Sequence, residues 1–233
     1  NVNTKTGRFV LVDQYETVGG GIISMEGYPN QRGRHNVVST NIEAVASTIN
    51  QKTRASVNGH TGGIIWLTGL SGAGKSTIAM EAERQLFQKG YQIYVLDGDN
   101  IRFGLSADLG FTPADRTENI RRIGEVAKLF ADAGVVVITA FISPYRDDRN
   151  RVRAIAPDQF HEVFIKADLS TCETRDPKGL YAKARNGEIE DFTGVSAPYE
   201  EPTDANLIID TGAQNIDQSV SKLLDYVSLN FKS

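Results

Sequence analysis

Residues 69–76 read Gly-Leu-Ser-Gly-Ala-Gly-Lys-Ser, the spacing G-x-x-x-x-G-K-S, between a short apolar run and a helical pattern. This is the arrangement of a phosphate-binding loop. Its glycines let successive backbone N–H groups turn inward on an anion, and the helix that follows presents the positive end of its dipole there. Lys75 can reach the terminal phosphates of a nucleoside triphosphate, and the Ser76 hydroxyl suits Mg²⁺. From average residue frequencies, such a match arises by chance in roughly one chain of this length in a hundred. Context lowers that figure. Ile64, Ile65, Trp66 and Leu67 read as a buried strand, while Ile78, Ala79, Ala82 and Leu86 recur at helical spacing. The loop therefore falls on the strand-to-helix junction that the motif needs.

Further strands are expected at 92–99, 135–142, 161–168 and 206–211, and helices at 115–133, 176–187 and 216–231. Strands alternating with helices predict an α/β fold: a three-layer sandwich of the phosphate-loop NTPase type, with a five-stranded parallel sheet and helices on both faces. The 233 residues are 40% hydrophobic and 23% charged, enough for one main core. Ahead of it, residues 8–13 and Ile22 and Ile23, separated by three glycines at 19–21, look like two strand remnants. Two short strands do not bury enough surface to stand alone, so residues 1–26 are expected to end a preceding β domain. Residues 27–39 then form a linker and 40–233 the main domain, starting with a helix from Thr40 capped by Thr40 or Asn41.

The net charge is −4 and the 25 Lys and Arg are scattered, so there is no electrostatic case for a nucleic-acid or membrane-surface partner. A single cysteine, Cys172, excludes a disulfide within the chain and fits a reducing cytoplasm.

Polar groups recur where strands end. In open parallel sheets the ligand crevice lies outside the carboxyl ends of the strands, so Asp97 and Asp99, leaving the second strand, are expected to face the phosphates. The helix at 115–133 opens with Arg116, Arg121 and Arg122, which oppose its dipole. A nearby anion would account for one of them, and surface salt bridges for the others. The third strand runs straight into Ser143-Pro144-Tyr145-Arg146. Residues 176–187, followed by Phe192-Thr193-Gly194, suit a mobile lid that excludes water from a transferring phosphoryl group.

Taken together, residues 69–77, Asp-Gly-Asp-Asn-Ile-Arg at 97–102, Gly-Phe-Thr-Pro-Ala-Asp-Arg-Thr-Glu-Asn-Ile-Arg-Arg at 110–122, Ile-Ser-Pro-Tyr-Arg at 142–146, Lys-Gly-Leu-Tyr at 178–181 and Phe-Thr-Gly at 192–194 resemble the adenylyl-sulfate kinases. That family phosphorylates the ribose 3′-OH of adenosine 5′-phosphosulfate from ATP. The resemblance implies an ATP site at Gly69, Ser71, Gly72, Ala73, Gly74, Lys75, Ser76 and Thr77, with Mg²⁺ held through Ser76 and Asp97. It implies Asp99 as base or orienter of the 3′-OH. Substrate contacts carry over to Asn100, Arg102, Phe111, Arg116, Asn119, Ile142, Ser143, Lys178, Phe192 and Thr193, with Phe111 and Phe192 stacking on the adenine. Thr112 stands where the family commonly has Ser. Ser143 matches a phosphoserine intermediate of some members, yet direct transfer between two bound nucleotides needs no protein nucleophile, and no histidine lies nearby in sequence to activate it.

The resemblance also implies a homodimer in sulfate assimilation. Residues 6–13 look like the final strands of the elongation-factor-like GTPase subunit of ATP sulfurylase, which implies that sulfurylase subunits are fused or associated. Two alternatives remain at this point. One is a phosphate-loop kinase for another nucleoside or small alcohol. The other is a non-catalytic nucleotide-binding regulator, against which Lys75, Ser76, Asp97 and Asp99 all argue.

Overall fold

The computed structural model describes residues 8–13, 16–22, 45 and 47–232, divided between two units, residues 1–45 and 46–233. In the first unit β1 (Arg8–Asp13) and β2 (Glu16–Ile22) pair antiparallel, Arg8 opposite Ile22 and Asp13 opposite Glu16, with a register shift between Leu11 and Val12. The three glycines lie inside β2 and do not interrupt it, because the ladder needs only their N–H and C=O groups. The expected linker at 27–39 lies outside the described residues.

The first helix of the second unit also starts later than expected. Residues 40–44 and 46 are outside the described set, and 47–50 are not helical. The Ser47 hydroxyl bonds to the backbone of Ile49, bending the chain, and Asn50 Oδ1 takes the Thr53 N–H at 2.9 Å, which starts α1 at Gln51 (Gln51–Asn58).

The remaining elements follow in alternation: β3 (Gly63–Thr68), α2 (Lys75–Gln88), β4 (Ile93–Asp97), α3 (Gly98–Arg102), α4 (Pro113–Asp132), β5 (Val136–Ala140), α5 (Arg146–Ile155), β6 (Phe160–Lys166), α6 (Leu169–Arg175), α7 (Leu180–Arg185), β7 (Leu207–Asp210) and α8 (Ile216–Asn230). All five strands are parallel, in the order β4-β5-β3-β6-β7. The chain leaves β3 for β4 and β5 on one side and then winds to β6 and β7 on the other, so the two halves diverge at the carboxyl end of the central strand. That is where such sheets place a ligand.

Both faces of β3 are buried, which is why its sequence is a continuous apolar run. Ile65 and Leu67 pack on one face with Ile78, Ala79, Ala82 and Leu86 of α2 and Val220, Leu223, Leu224 and Val227 of α8. Ile64 and Trp66 pack on the other with Ile120, Ile123 and Ala127 of α4 and Val152 of α5. Each large apolar side chain so buried contributes about 1.5–3 kcal/mol.

Three helices lack an apolar signature in the sequence. α5 buries Asp148, Arg149 and Val152, a largely charged face, and α3 and α6 are five and seven residues long. The helix expected across 176–187 shrinks to α7, because the Asp176 carboxylate accepts the N–H groups of Leu180, Tyr181 and Ala182 and Gly179 turns left-handed at φ +65°. Among the described residues no helix is long and apolar enough to cross a membrane.

Candidate active site

The phosphate loop joins β3 to α2, and its glycines are required by what presses on them. At Gly69 (φ +152°) a Cβ would lie 2.4 Å from the Ile165 carbonyl oxygen; at Gly72 (φ +75°) it would lie 3.0 Å from that of Cys172. The loop is therefore wedged against β6 and α6. Lys75 is 8% exposed, and its Nζ folds back to donate to Gly69 O at 2.9 Å and Leu70 O at 2.7 Å. Burial pulls its pKa down to about 8, against the opposing pull of Cys172 and Asp97. Ser76 and Thr77 remain open to solvent.

Ser76 Oγ donates to Asp97 Oδ2 at 2.6 Å, and Asp97 Oδ1 accepts the Asp99 N–H at 3.0 Å. That second bond caps α3, so β4 ends at Asp97 and not at 99 as the sequence suggests, and Asp99 leaves on the first turn of a helix. The Asp99 carboxylate is ion-paired to Lys178. The loop, the end of β4 and the segment that carries Lys178 thus meet at one point. Ser76 and Asp97 offer two adjacent hard oxygens, a donor set that fits Mg²⁺. That ion usually takes one or two protein ligands and completes its shell with waters and substrate phosphates. The described residues contain no cluster of three or more His, Cys, Asp or Glu that would suit a cation held by protein alone.

Beside this point lies a second group of predicted residues. Arg102 donates to Leu109 O and Gly110 O (3.2 and 2.8 Å), and its guanidinium lies 4.2 Å from the centre of the Phe111 ring. Partial burial, with Arg116 nearby, lowers the Arg102 pKa. Arg116 donates to Phe111 O at 2.8 Å, Thr193 Oγ1 at 2.7 Å and Asp191 O at 2.6 Å, tying the start of α4 to the loop at 191–193. Thr112 caps α4 by accepting the Asp115 N–H, as a Ser hydroxyl would. Asn119 is buried, and among the described residues its Oδ1 has no hydrogen-bond partner. Arg121 and Arg122 pair with Glu118, and Arg122 also with Asp108, the surface bridges expected of them.

The two candidate stacking residues differ. Phe111 is 64% exposed, whereas Phe192 is buried with its ring edge-on to Tyr181 at 5.0 Å. Asn100 is exposed, and Ile142 gives its carbonyl to Thr68 Oγ1 at 2.7 Å. Ser143 is 2% exposed and left-handed at φ +40°, and its Oγ accepts the Trp66 indole N–H at 3.0 Å. The turn it occupies is clamped by a residue that sequence reasoning missed. Arg149, fully buried, donates to Ser143 O (2.7 Å), Glu200 O (2.7 Å) and Glu162 Oε1 (2.6 Å). In the sequence it is one of several arginines in α5, and only burial distinguishes it.

The chain is similar to known proteins over most of its length. The family model for adenylylsulphate kinase matches residues 61–210. The adenylyl-sulfate kinase of Bacillus pumilus is 60% identical over 182 residues, 78% of this chain and 92% of that protein. Among solved structures, the APS kinase of Mycobacterium tuberculosis in complex with AMPPNP and APS is 49% identical with a TM-score of 0.69, covering 72% of this chain and 98% of that one. A hexameric APS kinase from Thiobacillus denitrificans is 33% identical with a TM-score of 0.56, covering 74% of this chain and 30% of that one. This chain belongs to the adenylylsulphate kinase family.

Proposed function

We propose that the chain transfers the terminal phosphoryl group of ATP to the ribose 3′-OH of adenosine 5′-phosphosulfate, giving 3′-phosphoadenosine 5′-phosphosulfate. The observation that carries the mechanism is the Ser76–Asp97–Asp99 chain of hydrogen bonds, which connects the triphosphate loop to the carboxylate that receives the acceptor. Phosphoryl transfer asks a protein for in-line positioning and charge neutralisation more than for covalent chemistry. Lys75 leaves the loop carbonyls for the transferring phosphate. Asp99 exchanges Lys178 for the 3′-OH, orients it and takes its proton as the oxygen attacks; as an ionised carboxylate it contributes more by orientation than by basicity. Arg102, Arg116 and Asn119 hold the phosphosulfate and ribose, the arginines through planar forks that match oxyanions. Phe111 offers an open face to the adenine, and Lys178 closes over the bound nucleotides. Mg²⁺, held through Ser76 and Asp97, would neutralise charge between the phosphates.

Ser143 acts through its backbone. Its hydroxyl is buried on the Trp66 indole, which supports direct transfer over a phosphoserine route. The enzyme serves cytoplasmic sulfate assimilation as a homodimer, with ATP sulfurylase subunits fused or associated. The hexameric relative supports assembly, and the separate β1–β2 unit supports residues 1–26 as the end of a preceding domain.

The test is 3′-phosphoryl transfer from labelled ATP to adenylyl sulfate with Mg²⁺. The intact chain should make the 3′-phosphorylated product, Asp99→Ala should lose about 10²–10⁴ in rate, and Ser143→Ala should keep a measurable rate. Binding of both nucleotides without transfer would overturn the kinase assignment and favour a regulatory module.

A further inference from the structure

Five consecutive carbonyl groups of the phosphate loop accept hydrogen bonds from side chains. Those of Gly69 and Leu70 take Lys75 Nζ. That of Ser71 takes the Tyr181 hydroxyl at 2.9 Å, that of Gly72 takes Arg175 Nη1 at 3.4 Å, and that of Ala73 takes Thr211 Oγ1 at 2.8 Å. The first two bonds are provisional, since Lys75 must leave them to reach a phosphate. The bonds from Tyr181 and Thr211 involve groups with no such second task.

A trans peptide unit is planar, with its C=O and N–H pointing in opposite directions. Fixing the Ser71 carbonyl therefore fixes the direction of the Gly72 N–H, and fixing the Ala73 carbonyl fixes that of the Gly74 N–H. Gly72 and Gly74 sit at φ +75° and +99°, where glycine's freedom leaves neighbouring peptide planes able to turn. An outward-turned plane would present a carbonyl oxygen to the anion. Both donors are well placed to prevent this: Tyr181 is 2% exposed and Thr211 is 8% exposed. Burial raises the Tyr181 pKa, so its hydroxyl keeps the proton it donates.

We propose that Tyr181 and Thr211 are positioning residues for ATP, acting from α7 and from the end of β7 to hold the Gly72 and Gly74 N–H groups on the phosphates. The proposal rests on the reading that this loop binds ATP. It also alters the picture of the lid: the Tyr181 end of α7 is anchored to the loop, and closure falls to Lys178 and the residues before the helix.

Tyr181→Phe and Thr211→Val each remove little more than a hydroxyl. Binding of AMPPNP with Mg²⁺ is measured by calorimetry, alongside KM for each substrate and the melting temperature. Each variant should weaken AMPPNP binding and raise KM for ATP by about five- to tenfold, on the scale of one buried hydrogen bond, with KM for adenylyl sulfate within about twofold of wild type. Wild-type AMPPNP affinity in both variants would overturn the proposal, whatever the melting temperature does. A fall in melting temperature with equal rises in both KM values would do the same, because it marks packing alone. AMPPNP binding needs no acceptor. A wild-type protein that binds it but does not phosphorylate adenylyl sulfate therefore refutes the proposed acceptor and leaves the clamp to be judged on its own data.

Discussion

The two halves of the site are built differently. On the donor side the phosphate loop is wedged by β6 and α6, Lys75 is almost wholly buried, and carbonyls from residue 69 to residue 73 already have partners. On the acceptor side the charged groups satisfy one another in the open: Asp99 and Lys178 form an ion pair with side chains 65% and 56% exposed, and Arg102 covers an exposed Phe111. A cradle of backbone amides must be preformed to be useful, since its donors cannot be recruited one by one. Exposed ion pairs hold their partners weakly, so the acceptor side can trade internal contacts for substrate at small cost. The difference is between a fixed cradle and an exchangeable clamp.

The largest effect should come from the centre of the cradle. Lys75→Ala is expected to lower kcat/KM for ATP by about 10³, on the scale of losing a principal oxyanion-stabilising group; steady-state kinetics decide it, and a loss smaller than that of Arg116→Lys would break the contrast. The burial of Lys75 adds a pH signature. With a folded pKa near 8 against 10.5 for an ordinary lysine, the unfolded chain holds a proton that the folded chain lacks between those values. This group therefore makes stability rise with pH across that window and oppose folding in full below it. A bound triphosphate recharges the amine. AMPPNP binding at pH 8.5–9 should take up a fraction of a proton, and binding at pH 6.5 almost none, as calorimetry in buffers of different ionisation enthalpy would read.

The same contrast explains what could be read from the sequence. The cradle was legible because its geometry dictates residue types: Gly69 has no room for a Cβ, Gly72 is left-handed and tight against Cys172, and a lysine and a hydroxyl must follow. The strands were legible because burial on both faces makes continuous apolar runs. α5 was not, since its inward face carries Asp148 and Arg149, and nothing in the chain shows that Glu162, near the start of the next strand β6, will neutralise that arginine. Family resemblance grouped Phe111 with Phe192, but only packing shows that one is open and the other lies against Tyr181. Tyr181 itself stood inside a recognised motif without a role, because a bond to Ser71 spans 110 residues and leaves no local trace.

Arg116 tests the clamp. Its three acceptors, Phe111 O, Asp191 O and Thr193 Oγ1, need a fork that an ammonium cannot supply. Arg116→Lys is expected to raise KM for adenylyl sulfate by about ten- to fiftyfold, in line with losing one or two charge-assisted bonds. KM for ATP should stay within about twofold, and amide exchange at 190–194 should quicken. A parallel rise in both KM values would show that the two sides are one mechanical unit.

Arg121 should sharpen the comparison by doing almost nothing. It lies five residues after Arg116 on the same helix and has the same side chain, but among the described residues its guanidinium is ion-paired to Glu118 alone, at 2.8 Å, with Glu125 a weaker charge nearby and 44% of the side chain exposed. The Glu118 carboxyl is held down to about 2, first by Arg121 and then by Arg122, so removing Arg121 leaves a second cation on the same carboxylate. Exposed pairs of this kind are worth about 0.2–1 kcal/mol, and the retained partner places the expected loss at the lower end. Arg121→Ala should therefore shift a urea midpoint only slightly, with both KM values unchanged. A rise in KM for adenylyl sulfate would mean that the acceptor's anion reaches beyond Arg116 along α4, and that helix-start arginines act on substrate as a set and not one at a time.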